Sequence, residues 1–386
     1  MTMIKRYIYI LFIFLCTPFV STAQIPFIFD TDMGNDIDDA IAMDLVYKYH
    51  LSGKINLLGV MINKEGMYPP MFIDVLNTWY GCPNIPIGVS NKTNLRTKIG
   101  DNFTNKVVDM EDGWEPLYKR TLKSYATLPY AHKLYRRLLS EAEDHSVTIV
   151  SVGFSTNLAN LLSTEADDYS TLSGIELVRQ KVDKLVIMGG RFDAAGAEYN
   201  IQQDVASAKA MFNKWPTAIY CSGWEIGNDI CFPGSAMNSD FKWVQHHPVV
   251  DAYKAYYNGN PGNRPMWDPT AVIYAVDPQD FFTLSAPGTI VVNSWAYTIH
   301  TPNANGCHYY LITSPAQDQK VLNYMVRMVT SNVDGFRTGI ESISDTDTPS
   351  DEQVYSINGC ITEQDEPGLQ IIRRADNTIV KRWNRK

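Results

Sequence analysis

The sequence predicts an α/β fold: a mostly parallel open sheet with helices on both faces, followed by a small C-terminal β segment. Three observations predict it. Between residue 25 and about residue 290, short apolar runs alternate with amphipathic stretches, the order expected of a parallel sheet with crossover helices. The apolar runs are near-continuous, as in strands covered on both faces. Each ends in Gly, Asn or Asp, and ligands of such sheets sit beyond the carboxyl ends of the strands.

The N-terminus comes first. Lys5 and Arg6 precede an apolar run of about fourteen residues, YIYILFIFLCTPFV, and Ser21 and Ala23 follow at cleavage spacing. Residues 1–23 read as a secretory signal cleaved near Ala23, and the run falls short of the roughly 20 residues a membrane span needs. An exported chain, periplasmic or extracellular and without a stable membrane anchor, is expected. The first strand, PFIFD (26–30), leads through an aspartate-rich turn into the helix AIAMDLVYKYHL (40–51). INLLGVMIN (55–63) is the second strand, and residues 92–120 lack strong periodicity and read as a long loop or lid. AHKLYRRLLSEAED (131–144) and DVASAKAMFNKW (204–215) read as helices; VTIVSVG (147–153), DKLVIMGG (183–190) and TAIYCSG (217–223) read as strands. One body spans 24–340. The polar stretch ESISDTDTPSDEQ (341–353) is a linker. Residues 354–386 form a small C-terminal β module, with VYSINGCI and LQIIRRADNTIVKRW as strands and a turn at Asp376 and Asn377. The tail is similar to short sorting modules of secreted bacterial proteins; a hairpin packed on the main body fits it equally.

A formal charge of −9 argues against a nucleic-acid polymer as partner, because phosphate neutralisation needs a basic surface. A phosphate-free nucleoside or sugar remains compatible. Past the signal, Cys82, Cys221, Cys231, Cys307 and Cys360 are odd in number and contain no CxxC pair, which excludes a zinc site or a disulfide framework. Cys221 and Cys231 remain candidates for a bridge.

The stretch FIFDTDMGNDIDDAIA (27–42) places five aspartates in ten positions directly after a strand. One or two could cap the following helix, but five are too many for capping. A hard divalent cation held by several carboxylate oxygens relieves the repulsion, and calcium accepts such crowded shells. An EF-hand loop is excluded, since the twelfth position from Asp30 is Ile41 rather than Glu. A haloacid-dehalogenase-type phosphatase also carries DxD after a strand, but needs Thr or Val where this chain has Gly34.

DTDMGNDIDDA resembles the N-terminal signature DxDxGxDD of the nucleoside hydrolase family, in the version with two extra residues before the final Asp pair. Four further segments match in order: INK with Asn63, VSVGFSTNLANLL with Thr156 and Asn157, VIMGGRFDAAGAEYNIQQDVASA with Glu198, Asn200 and Asp204, and WDPTAV with Asp268. The resemblance implies a Rossmann-like sheet and a calcium-dependent hydrolase of the ribonucleoside N-glycosidic bond. It further implies that Asp32, Asp39 and Asp268 bind Ca2+ together with the Thr156 carbonyl. Asp32 would be the general base toward the attacking water, whose pKa the ion lowers, and Asn63 would orient that water. Asp38, Glu198 and Asn200 would hydrogen-bond the ribose. Members commonly form dimers or tetramers, so a homodimer or homotetramer is implied as well. Plainer roles stand beside these: Asp204 as a helix N-cap, Thr156 and Asn157 as caps of NLANLL, and Asp30 as an organiser of loops. Asp36 is left without a role.

Trp267 stands where pyrimidine-tolerant members carry His and purine-specific members carry Trp, which implies a stacked purine and adds Trp267 to the substrate-binding set. Tyr253, Tyr256 and Tyr257 lie at helical spacing just before it, as pocket lining or as core, and Trp114 is a candidate second stacking face. The loop RFDAAGA lacks an Asn that many members carry, and GWEIGND differs from the corresponding strand end, so Trp224 and Glu225 are expected to meet a different substrate group. The alternatives are a hydrolase of another ribosyl or sugar derivative on the same scaffold, and a sugar-binding relative without turnover.

Overall fold

The computed structural model describes residues 24–91, 101–337, 353–356, 368–373 and 379–384. Residues 1–23, read as a signal, the start of the 92–120 segment, residues 341–352 of the expected linker and the expected turn at Asp376 and Asn377 lie outside them. The central sheet contains β1 (Ile25–Thr31), β2 (Ile55–Ile62), β3 (Ile87–Val89), β4 (Val147–Ser151), β5 (Val182–Met188), β6 (Ala218–Ser222), β7 (Gly288–Val292), β8 (Thr298–Pro302) and β9 (His308–Ile312). Their spatial order is β8-β7-β9-β6-β5-β4-β1-β2-β3. All neighbours from β9 to β3 run parallel, and β7 pairs antiparallel with β8 and β9. The expected mostly parallel sheet therefore carries an antiparallel edge.

In β1 the pleat sends Phe27 and Phe29 into one core and Ile28 into the other, all three fully buried. Both faces of the sheet are thus covered, which is why the strands read as unbroken apolar runs. From β1 the chain adds β2 and β3 on one side, then crosses to β4 on the other. That reversal opens a crevice beyond the carboxyl end of β1, the place where such sheets bind ligands.

Helix α1 (Asp38–Leu51) departs from the amphipathic reading: every residue from Asp38 to Tyr49 is buried. It packs against β2 and against helices 267–276 and 315–330. Its interior charges are satisfied internally. Lys48 pairs with Asp44 at 2.9 Å, both side chains fully buried, and Lys48 Nζ donates to the carbonyls of Met328 (2.9 Å) and Val329 (2.5 Å). Asp44 also accepts from the Tyr80 hydroxyl.

The segment read as a long loop is largely packed where described. Residues 104–108 form a helical turn, Glu111–Asp112 pairs with Glu115–Pro116, and Phe103, Val107 and Tyr118 are buried, with Phe103 edge-on to Phe72. Spaced apolar residues in a short segment gave no periodic signal, yet they dock it firmly. Trp114 is 96% exposed and stacks on nothing among the described residues. The C-terminal tail forms a three-stranded antiparallel sheet, Gln353–Ser356, Gly368–Arg373 and Ile379–Asn384. Cys221 is a buried free thiol and Cys231 an exposed one, so the two are not bridged. Among the described residues no helix is long and apolar enough to cross a membrane.

Candidate active site

The site forms where β1 ends. Gly34 has φ +104, a conformation that side chains rarely adopt, and an added Cβ would lie 3.2–3.4 Å from Thr104, Lys64 and Asp101. The turn is tied down by Asn102, whose backbone N–H and side-chain amide donate to the carbonyls of Gly34 (2.9 Å) and Asn35 (2.6 Å).

Asp30 organises the floor. Its Oδ1 accepts from the amides of Asn63 (2.6 Å) and Asn157 (3.2 Å), and its Oδ2 from the Tyr135 hydroxyl (2.8 Å). Burial pushes its pKa up to about 7 despite those bonds. Asn63 is held at both ends, since its Oδ1 accepts from the Phe154 N–H at 3.1 Å. Gly153 allows this packing: a Cβ there would stand 2.6 Å from both Asn63 Oδ1 and the Asp32 nitrogen.

Asp38, Asp39 and Asp268 bring carboxylate oxygens within 4.8 Å of one another, all buried. Asp38 has a second duty. Its Oδ2 accepts from the backbone N–H groups of Trp267 (3.0 Å) and Asp268 (3.1 Å), the first two residues of the helix Trp267–Val276, which lacks a side-chain cap of its own. None of the five aspartates caps α1, whose N-cap position is Ile37; the capping expected of them is delivered to a helix 230 residues downstream. Asp39 accepts from the Thr31 hydroxyl. Burial first, and neighbouring carboxylates second, hold the pKa values of Asp38, Asp39 and Asp268 well above the usual carboxylate range. Asp32 is pushed up to about 7 by burial, with the Lys64 ammonium opposing, and its Oδ2 is buried without accepting a hydrogen bond. Crowded acids with an orphaned oxygen match the needs of a hard cation.

Further residues come from the segment that follows β5. Glu198 caps the short helix Tyr199–Gln203, accepting from the N–H groups of Asn200 (2.8 Å) and Ile201 (3.1 Å), and also from Gly190 (3.1 Å). Burial raises it to about 7 against those bonds. The Asn200 amide donates to the Val152 carbonyl at 2.8 Å. Asp204 caps the helix Val205–Lys214 through the Ser207 N–H, as expected. Thr156 and Asn157 do not cap their own helix: Thr156 donates to Asp204 Oδ2 at 2.7 Å and Asn157 to Asp30. Competing acceptors across the site draw their side chains away.

Trp267 is half-buried, its Nε1 donating to the Trp224 carbonyl at 2.9 Å, and it packs so closely on Gly227 that a Cβ there would lie 2.3 Å from its Cα. Tyr253 is core, with its hydroxyl on the Gly262 carbonyl. Tyr256 and Tyr257 are half-buried and adjoin Arg264. Arg264 pairs with Asp36, the acid left without a role. Neither Arg264 nor Lys64 was a site candidate in the sequence. Lys64 could have been found, because it follows Asn63 at a strand end; Arg264 is tied to the motif only by the fold.

A model of the family described as inosine-uridine preferring nucleoside hydrolase matches residues 27–338. A pyrimidine-specific ribonucleoside hydrolase RihA of Photobacterium profundum is 25% identical over 287 residues, which is 67% of this chain and 82% of that one. Among solved structures, the plant nucleoside hydrolase PpNRh1 superposes with a TM-score of 0.59 at 20% identity, covering 80% of this chain and 99% of that one. A purine-preferring ribonucleoside hydrolase from Gardnerella vaginalis does so with 0.61 at 16% identity, covering 79% and 98%. The ordered motifs, the sheet reversal at β1 and the match over most of the length have one reading: the chain belongs to the inosine-uridine preferring nucleoside hydrolase family and is an N-glycosyl hydrolase.

Proposed function

We propose that the protein cleaves ribonucleosides to ribose and free base with bound calcium. The observation that carries this reading is the buried acidic set: the oxygens of Asp38, Asp39 and Asp268 within 4.8 Å, and Asp32 Oδ2 with no hydrogen bond. An all-oxygen donor set suits a hard cation, and calcium tolerates a crowded, irregular shell better than magnesium does. Asp32, Asp39, Asp268 and the Thr156 carbonyl would hold it, and Asp38 is close enough to share in the cage. When bound, the ion supplies Lewis acidity and lets the clustered carboxylates ionise. Asp32 takes the proton of the attacking water, and Asn63, fixed by Asp30 and the Phe154 N–H, orients that water. Glu198 and Asn200, with Asp38, hold the ribose, while the carboxylates stabilise positive charge developing on the sugar.

Trp267 forms a wall of the base pocket, and a stacked purine is the preference it supports. The similar proteins include both pyrimidine-specific and purine-preferring hydrolases, so both base classes belong in the assay. One observation favours a second reading, a ribosyl or sugar derivative with another leaving group. Arg191 lies 4.2 Å over the Trp224 ring, and Glu225 is close enough to raise the Glu198 pKa, so this rim is more charged than a neutral nucleoside needs. Ribose release from inosine, guanosine, uridine, cytidine and nitrophenyl riboside, with and without chelator, separates the readings. Nucleoside turnover that survives chelation, or survives Asp32→Ala, would overturn the mechanism. Turnover of nitrophenyl riboside alone would favour the second. The proposed organisation is an exported chain cleaved near Ala23, a catalytic body to residue 340 and a β module over 354–386; N-terminal mass analysis of exported protein tests the first point.

A further inference from the structure

Asp36 and Arg264, 228 residues apart in the chain, form a two-point pair at the rim of the carboxylate cluster: Arg264 Nε lies 3.0 Å from Oδ1, and Nη2 contacts Oδ2. Both side chains are partly exposed, 26% for Arg264 and 22% for Asp36. The guanidinium carbon stands 5.4 Å from the centroid of Trp267 and 5.5 Å from that of Tyr256. Its charge reaches Asp38, the carboxylate that caps the helix on which Trp267 is the first residue.

Two consequences follow. A planar guanidinium carries five N–H donors, and the Asp36 fork uses only part of them. A cation over an indole also sets a fixed positive charge beside the ring on which a base would stack. The wall next to Trp267 is therefore a fixed positive charge braced by a carboxylate and two rings, rather than a free aromatic plate.

Resting on the nucleoside hydrolase reading, we propose that Arg264 is a leaving-group residue, held in place by Asp36, that stabilises a base departing as an anion. In the step, the oxygen of water bonds to C1′ and the C1′–N bond breaks. Its electron pair stays on the base nitrogen, and the water proton passes to Asp32. The anionic base is stabilised by the guanidinium until it takes a proton from solvent. Preorganised charge at the site where charge develops is worth about 100- to 1,000-fold in rate for a single donor.

The test compares uridine and inosine with 7-methylguanosine, whose base leaves neutral and needs no cation beside it. Arg264→Gln should lower kcat/KM for uridine and inosine roughly 100-fold or more, while leaving 7-methylguanosine within about threefold. Arg264→Lys should recover part of the loss, and Asp36→Asn should shift the same ratio in the same direction by a smaller factor. Both substrate types are turned over by one preparation, so any unfolded fraction cancels from the ratio. An equal loss on both would make Arg264 purely structural and overturn the proposal. If the unaltered enzyme with calcium releases ribose from no nucleoside at all, the reading beneath fails, and this proposal with it.

Discussion

Removing the divalent cation should lower the melting temperature, by an amount that grows with pH. Asp38, Asp39 and Asp268 bring oxygens within 4.8 Å of one another. Two unit charges at that distance repel by about 3–4 kcal/mol at an effective dielectric constant of ~20. Without a cation the cluster relieves this by keeping protons, which is why burial and neighbouring charge hold all three pKa values high and burial puts Asp32 at about 7. A carboxyl whose folded pKa lies above its unfolded value, here 3.8, favours folding fully below that unfolded value and loses the advantage as pH rises through the folded one. The metal-free protein should therefore lose stability from about pH 4 upward, with the Asp32 share gone above about pH 7. A cation takes over the neutralisation and acts most where protons are scarce. At free calcium about 1,000 times Kd the gain is roughly 4 kcal/mol, or on the order of 8 °C for a domain this large. Thermal unfolding followed by near-UV circular dichroism, in chelator, calcium and magnesium between about pH 5 and pH 8, reads the effect directly. A calcium shift equal at both ends of that range, or absent throughout, refutes the reasoning.

Two other substitutions probe the supporting structure. Lys48→Met leaves Asp44 and the carbonyls of Met328 and Val329 buried without their ammonium; urea unfolding should show a loss of about 3–5 kcal/mol, with Asp44→Leu in the same chain recovering part of it. Gly153→Ala forces a Cβ against Asn63 Oδ1 and the Asp32 nitrogen, both 2.6 Å away. Steady-state kinetics should show kcat falling on the order of 100-fold, against a stability loss of only about 1–3 kcal/mol. A kcat within a factor of two of the parent would mean that the Asn63 position is not critical.

Much of the site was legible because its signals are local. Asp30, Asp32 and Asn63 lie at or just past strand ends, which can be read from apolar runs and the polar residues that stop them, whereas Glu198 and Asn200 sit at the start of the helix Tyr199–Gln203. Asp268 was reachable only through an ordered motif, since nothing in its own neighbourhood points to β1. What the sequence left open shares a cause, which is a partner far away in the chain. The Asp38 carboxylate belongs to the helix starting at Trp267, Thr156 to Asp204, and Asp36 to Arg264. The sequence of α1 reads as amphipathic, with Asp44 and Lys48 as polar residues among apolar ones. Each neutralises the other, and tertiary carbonyls and a tyrosine complete the shell, so polarity in the sequence does not become exposure in the fold.

The buried Lys48 also says something about time. Its two carbonyl acceptors are made 280 and 281 residues after it, near the far end of the family-matched body. Until Met328 and Val329 emerge from the ribosome, the helix that opens with Asp38 and Asp39 has an ammonium paired with Asp44 but still lacking its two carbonyl acceptors. Asp38 and Asp39 are made almost at the start of the chain, but the helix that carries them is completed only by residues near the end of the matched body. Ribosome-bound chains halted before residue 328 should therefore hold these aspartates in a loose, protease-sensitive state, and the segment to Val329 should lock them into place.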